Sequence, residues 1–106
     1  MLQHFELQVL LAMLLGSKDG GETYSVPLVL ALEKRTGKSV SQAAVFIALR
    51  RLEAKGLVAS RMDDAESGRT RRYFRLTKSG LAAVKAQRAE HVRLWQGLGR
   101  VLKARD

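Results

Sequence analysis

Cysteine is absent from the 106 residues, which excludes disulfides, thiolate metal sites and thiol nucleophiles. A cysteine-based metal sensor is ruled out with them. The redox compartment stays open, although the composition sits easily with the cytoplasm, the expected location. Aromatic residues make up only 6% of the chain, which suits helices packed through Leu, Val and Ala. No apolar run is long enough to cross a bilayer: the one at the N-terminus covers roughly 15 residues, against the ~20 a spanning helix needs. It also lacks a basic leader and a small-residue cleavage site, so neither a signal peptide nor a membrane partner is expected. Repeats and low-complexity tracts are missing. Two histidines and scattered serines form no nucleophile–base spacing, and no glycine-rich phosphate loop occurs. The chain reads as a non-enzyme without cofactor or metal.

Acidic residues are also in short supply, with ten Asp and Glu against nineteen Lys and Arg, a formal charge of +9. In one small domain this imbalance favours a polyanionic partner, chiefly nucleic acid or an anionic membrane surface. The stretch Ser41–Gly56, SQAAVFIALRRLEAKG, organises the rest. Ser41 is an N-cap candidate and Gly56 a stop that tolerates positive φ. Val45, Ala48, Leu49 and Leu52 recur at i, i+3, i+4 and i+7, which predicts a helix with one apolar stripe. Its outer face carries Ala43, Ile47, Arg50 and Ala54, flanked by Gln42, Phe46 and Arg51. That face is small and basic enough to lie in a groove. LVASRM and RRYFRL then read as two strands joined by the turn-rich DDAESGRT.

Elsewhere the pattern is helical. Leu2–Leu15 is apolar on nearly every face from Val9 onward, more than a three-helix domain can cover, so part of it is expected to meet a second subunit. Tyr24–Thr36 is predicted as a helix capped by Ser25 or Thr23, with Pro27 in its first turn and Gly37 as its stop. Leu28 and Leu32 face inward; Glu33, Lys34 and Arg35 face solvent. Val40 is available for a short strand against the hairpin. Alternation in the second strand puts Phe74 and Leu76 on one face and Tyr73 and Arg75 on the other; Leu76 precedes a helix that must pack on the domain, so the Phe74 face is assigned to the core. Arg69, Arg71 and Arg72 then cluster at or beside the tip. Thr77 caps a last helix predicted to run from about Lys78 to near Lys103, with Gly97 and Gly99 fraying its last turns through their low helix propensity. Its seam at Leu81, Val84, Arg88, His91, Trp95, Leu98 and Leu102 alternates steps of three and four, as in a coiled coil.

Three segments, LRRLEAKGLV (49–58), SGRTRRYFRLTKSG (67–80) and the weaker TYSVPLVLALEKRTG (23–37), make the chain resemble the PadR family of winged-helix transcriptional regulators. The fold class expected is mainly α with a small β-hairpin, a winged helix-turn-helix carrying a C-terminal dimerisation helix. Residues 1–77 would form the DNA-binding domain, with an N-terminal helix that also serves the dimer, and 78–106 the dimerisation helix. The single short last helix is similar to the smaller PadR subclass. Val45-Phe46-Ile47 replaces a Leu-Tyr pair frequent in the family, and Glu22-Thr23-Tyr24 replaces a His-Gly-Tyr.

On this resemblance the chain is expected to be a homodimeric, sequence-specific regulator of transcription, acting as a repressor on double-stranded DNA. A winged-helix protein-interaction module that does not touch DNA is the alternative. The DNA-contacting candidates are Ser41, Gln42, Ala43, Phe46, Ile47 and Arg50 on the helix, with Arg69, Arg71 and Arg72 on the hairpin. Phe5, Leu11, Leu81, Val84, Arg88, His91, Trp95, Leu98 and Leu102 are the dimer candidates. Trp95, with His91 one turn earlier, is also the candidate platform for a planar aromatic effector that relieves repression.

Overall fold

The computed structural model describes residues 2–16, 21–64 and 70–105. Among these residues, five helices and one hairpin follow in the order α1 (His4–Gly16), α2 (Ser25–Thr36), α3 (Gln42–Ala54), β1 (Val58–Asp64), β2 (Thr70–Leu76), α4 (Lys78–Trp95) and α5 (Leu98–Ala104). Helices α1, α2 and α3 pack together, and the hairpin lies beside α3. The core they enclose includes Val9, Leu10 and Met13 of α1, Leu28 and Leu32 of α2, and Val45, Leu49 and Leu52 of α3. Phe74 closes it from β2 and is fully buried, on the face assigned to the core. The winged helix-turn-helix is therefore present in outline.

Local chemistry explains most boundaries. The Ser41 hydroxyl accepts the Ala44 amide at 3.2 Å and starts α3; Gly56, at φ 76°, ends the turn after it. The Thr77 hydroxyl accepts the Gly80 amide at 3.0 Å and donates to the Gly56 carbonyl at 2.7 Å. One side chain thus caps α4 and ties it to the end of α3. β1 and β2 pair antiparallel from Val58↔Leu76 to Asp64↔Thr70, so Asp63 and Asp64 belong to the strand and not to the turn.

Four expectations are corrected. Neither Ser25 nor Thr23 caps α2: Tyr24 holds the N-cap position without a side-chain bond. The Ser25 hydroxyl instead accepts from Gln42 Nε2 at 3.2 Å. Val40 adds no strand, because its amide is taken by Glu33 Oε2 at 3.0 Å; for the same reason Glu33 is half-buried and does not face solvent. The strand-like partner of the wing is Thr23, which exchanges two backbone bonds with Phe74 at 2.9 and 2.7 Å. The last helix is also not continuous. Gln96 is extended at ψ 124° and Gly97 is left-handed at φ 81°, so α4 stops at Trp95 and a separate α5 follows. Leu98 and Leu102 therefore leave the seam that the unbroken helix would have carried.

Candidate nucleic-acid interface

The outer face of α3 is open. Ser41, Gln42, Ala43, Phe46, Ile47 and Arg50 are all exposed, because the buried stripe of α3 faces α1 and α2. Beside it runs the wing, and between them lies a cleft of about 380 Å³ lined by Tyr24, Ser25, Val26, Gln42, Phe46, Thr70, Arg71 and Arg72. Phe46 meets Phe74 edge-on, with ring centroids 6.1 Å apart. Its ring therefore anchors the middle of α3 to the core while one edge stays open to solvent.

Arg71 and Arg72 leave opposite faces of β2. Arg71 is exposed, and its guanidinium lies 4.0 Å from the Tyr24 ring centroid, a close cation–π contact. A hydrogen bond with the Tyr73 side chain raises its pKa further, so it stays a permanent cation. Arg72 is half-buried and donates to the Ser60 hydroxyl at 2.9 Å. Arg69 lies outside the described residues. Arg50 pairs with Glu53 one turn on, at 3.1 Å.

Several residues that hold this surface carried no sequence motif. Arg61 makes two bonds to Glu22, of 2.6 and 2.7 Å, and sits 5.2 Å from the Tyr73 ring centroid. The Arg61 bond is the main reason the Glu22 carboxyl lies below its ordinary range. Tyr24 in turn meets Tyr73 edge-on at 5.7 Å. With the Thr23 bridge, these contacts fix the wing against the start of α2. Asp63 pairs with Arg61 at 3.5 Å, so its charge is directed toward the base of the wing. The Glu22–Arg61 pair spans 39 residues and has no local signature.

A model of the transcriptional regulator PadR-like family matches residues 11–86. This chain belongs to the PadR-like family of transcriptional regulators. Its members regulate transcription and are not enzymes. The structure is similar to a PadR family transcriptional regulator from Eggerthella lenta DSM 2243, with 31% identity, TM-score 0.69, and coverage of 92% of this chain and 87% of that one. A PadR-like transcription factor from Bacteroides fragilis shares the fold at TM-score 0.75 and 18% identity, covering 92% and 88%. So does Bacillus subtilis PadR in complex with operator DNA, at TM-score 0.67 and 15% identity, covering 80% of this PadR-like chain and 46% of that one. No curated protein matches the sequence significantly.

The other candidate surface runs along α1 and α4. Leu11, Leu81, Trp95, Leu98 and Leu102 are exposed, at 41%, 38%, 50%, 39% and 55%. Arg88 and His91 are exposed too. Phe5 and Val84 are half-buried and pack against the core. His91 and Trp95 lie on one face of α4 with ring centroids 6.0 Å apart. A groove of about 340 Å³ opens between the helices, lined by Leu7, Leu11, Val84, Gln87, Arg88 and His91.

Proposed function

We propose that this PadR-like regulator binds duplex DNA as a homodimer and represses transcription from its operator. The observation that carries the reading is the open face of α3 standing beside a wing whose Arg71 points outward at the cleft. A helix with small and basic outer residues fits the major groove, and a hairpin arginine fits phosphate or minor groove. Gln42, Ala43, Phe46, Ile47 and Arg50 would approach base edges, with Ser41, Arg69, Arg71 and Arg72 directed to the backbone. Phosphate contacts position the protein, whereas base contacts choose the site.

Dimerisation is supported by the apolar strip. Large apolar side chains are exposed on α1, α4 and α5, as expected of a surface that a partner covers. Residues 1–77 would act as the DNA-binding unit and 78–106 as the dimerisation arm, with Phe5 and Leu11 of α1 completing the contact. Two copies related by a two-fold axis would present recognition helices to successive major grooves, ~34 Å apart. No helix among the described residues is long and apolar enough to cross a membrane, and work on an operator belongs in the cytoplasm. The direct test is a gel shift with the DNA immediately upstream of the chain's own gene. A shifted band competed by the same duplex and not by a shuffled one is expected. If no duplex is bound, the interaction-module alternative takes its place.

A planar effector is the regulatory half of the proposal. The groove beside His91, and Trp95 half-exposed one turn on, support an aromatic ligand held between two copies of α4.

A further inference from the structure

Glu53 stands in the last turn of α3, beside Arg50 at the edge of the surface proposed to face DNA, where a carboxylate would oppose phosphate. It is not idle there. Its Oε1 lies 3.1 Å from Arg50 Nη1, and its Oε2 accepts the Ser60 hydroxyl. The Ser60 oxygen accepts in turn from Arg72 Nη1 at 2.9 Å. The row Arg50–Glu53–Ser60–Arg72 joins the recognition helix to both strands of the wing. It has an arginine at each end and one negative charge between them.

We propose that Glu53 is a specificity-determining residue, which sets the ratio of cognate to random DNA binding by holding Arg50 and Arg72 in place. The proposal rests on the reading of α3 and the wing as the DNA-contacting surface. An arginine meets phosphate oxygens in many orientations and draws on its charge to do so, and a neighbouring carboxylate competes with that charge directly. Base recognition asks for a fixed, two-pronged guanidinium. Arg50 has five N–H donors, so it can keep one bond to Glu53 and still present a fork to a guanine edge. The row therefore weakens contacts to random DNA while leaving the cognate contact oriented. A lone exposed i, i+3 pair would do little of this; here the second carboxylate oxygen is engaged through Ser60 and the far end is clamped by Arg72.

The test uses the full chain and two duplexes, one selected by the wild type from a random pool and one a shuffled version of it. Glu53→Gln keeps the side-chain shape and removes the charge. It should raise affinity for the shuffled duplex roughly two- to fivefold, the range that exposed ion pairs supply, without raising affinity for the selected one. Ser60→Ala changes no charge but cuts Arg72 from the row, and should lower the same ratio by a smaller factor. Equal gains on both duplexes in Glu53→Gln would overturn the proposal and leave Glu53 as mere net charge. An unchanged ratio in either variant would overturn the row. A wild type that binds neither selected nor shuffled DNA overturns the DNA reading and this proposal with it.

Discussion

Gly80 has no room for a β-carbon. One built there would stand 2.1 Å from the Leu57 carbonyl oxygen and 2.7 Å from Leu76 Cδ1. Alanine is the better helix former by about 1 kcal/mol, but the carbonyl is backbone and cannot step aside. Overpacking of this kind costs about 1–3 kcal/mol, so Gly80→Ala should be destabilising, read as a lower urea midpoint. Glu6 shows a different constraint. It is 2% exposed, yet charged, because its Oε1 accepts Lys55 Nζ at 2.6 Å and the Gln3 amide at 2.9 Å. Burial pushes its carboxyl up, but the Gln3 amide and Lys55 outweigh this and hold it below the ordinary 4.5. A depressed folded-state value means stability that is present above the unfolded value and lost as pH falls through the folded one. Wild-type stability should thus drop from about pH 5 downward, and Glu6→Gln should flatten that slope. At neutral pH the variant should lose about 1.5–3 kcal/mol, the worth of a hydrogen bond to a charged group. Thr77 was legible as the cap of the helix that holds Gly80. The buried Glu6 was not, because a Glu at a helix start reads as solvated and its partner is 49 residues away.

Among the elements, the wing and recognition helix follow local pattern, and their docking does not. Alternation, with Leu76 leading into a helix that must pack, put Phe74 inside, and the apolar stripe Val45, Ala48, Leu49, Leu52 is buried as its spacing demands. The choice of Thr23 over Val40 as the wing's backbone partner depends on which segment passes the edge of β2, a tertiary fact that no local signal encodes. The break at Gly97 is a related case. Glycine propensity suggested fraying, whereas positive φ after an extended Gln96 makes a defined corner. That shortens α4 to 18 residues, about 27 Å. The two arginines kept apart by the fold should also behave differently. Arg71→Ala should weaken binding to selected and shuffled duplexes alike, and lower the slope of log K against log salt by about 0.9 for one lost phosphate contact. An unchanged slope would remove Arg71 from the phosphate contacts. Arg50→Ala should instead cost about 1–3 kcal/mol mainly on the selected site, if it reads a base; equal loss on both duplexes would make it a backbone contact.

At the scale of the molecule, the extents of 60 × 28 × 23 Å describe a body with an overhanging arm. Val92, Leu94, Trp95, Leu98, Val101 and Leu102 on that arm are all more than a third exposed, a large apolar surface for a chain with a charge of +9. Sedimentation at micromolar concentration should give about twice 11.8 kDa, and Leu98→Asp should shift it toward monomer by placing a charge where apolar surfaces meet. The effector prediction depends on this dimer. Trp95 is half-exposed, tilted 42° to His91, and close to the groove lined by Leu11 and Arg88. Two such indoles facing across a two-fold axis would stack a planar ligand, with aromatic contacts contributing about 0.5–1.5 kcal/mol beyond the area buried. For the ligand to release DNA it must prefer a dimer whose recognition helices no longer match successive grooves, and it can shift that balance only by its differential affinity for the two states. A panel of planar dyes, titrated while the fluorescence of the single tryptophan is followed, reads the binding directly. Saturable quenching is expected, lost in Trp95→Ala while sedimentation still reports a dimer. Emission from a dry, tightly packed indole that no dye quenches would leave Trp95 as a dimer contact alone.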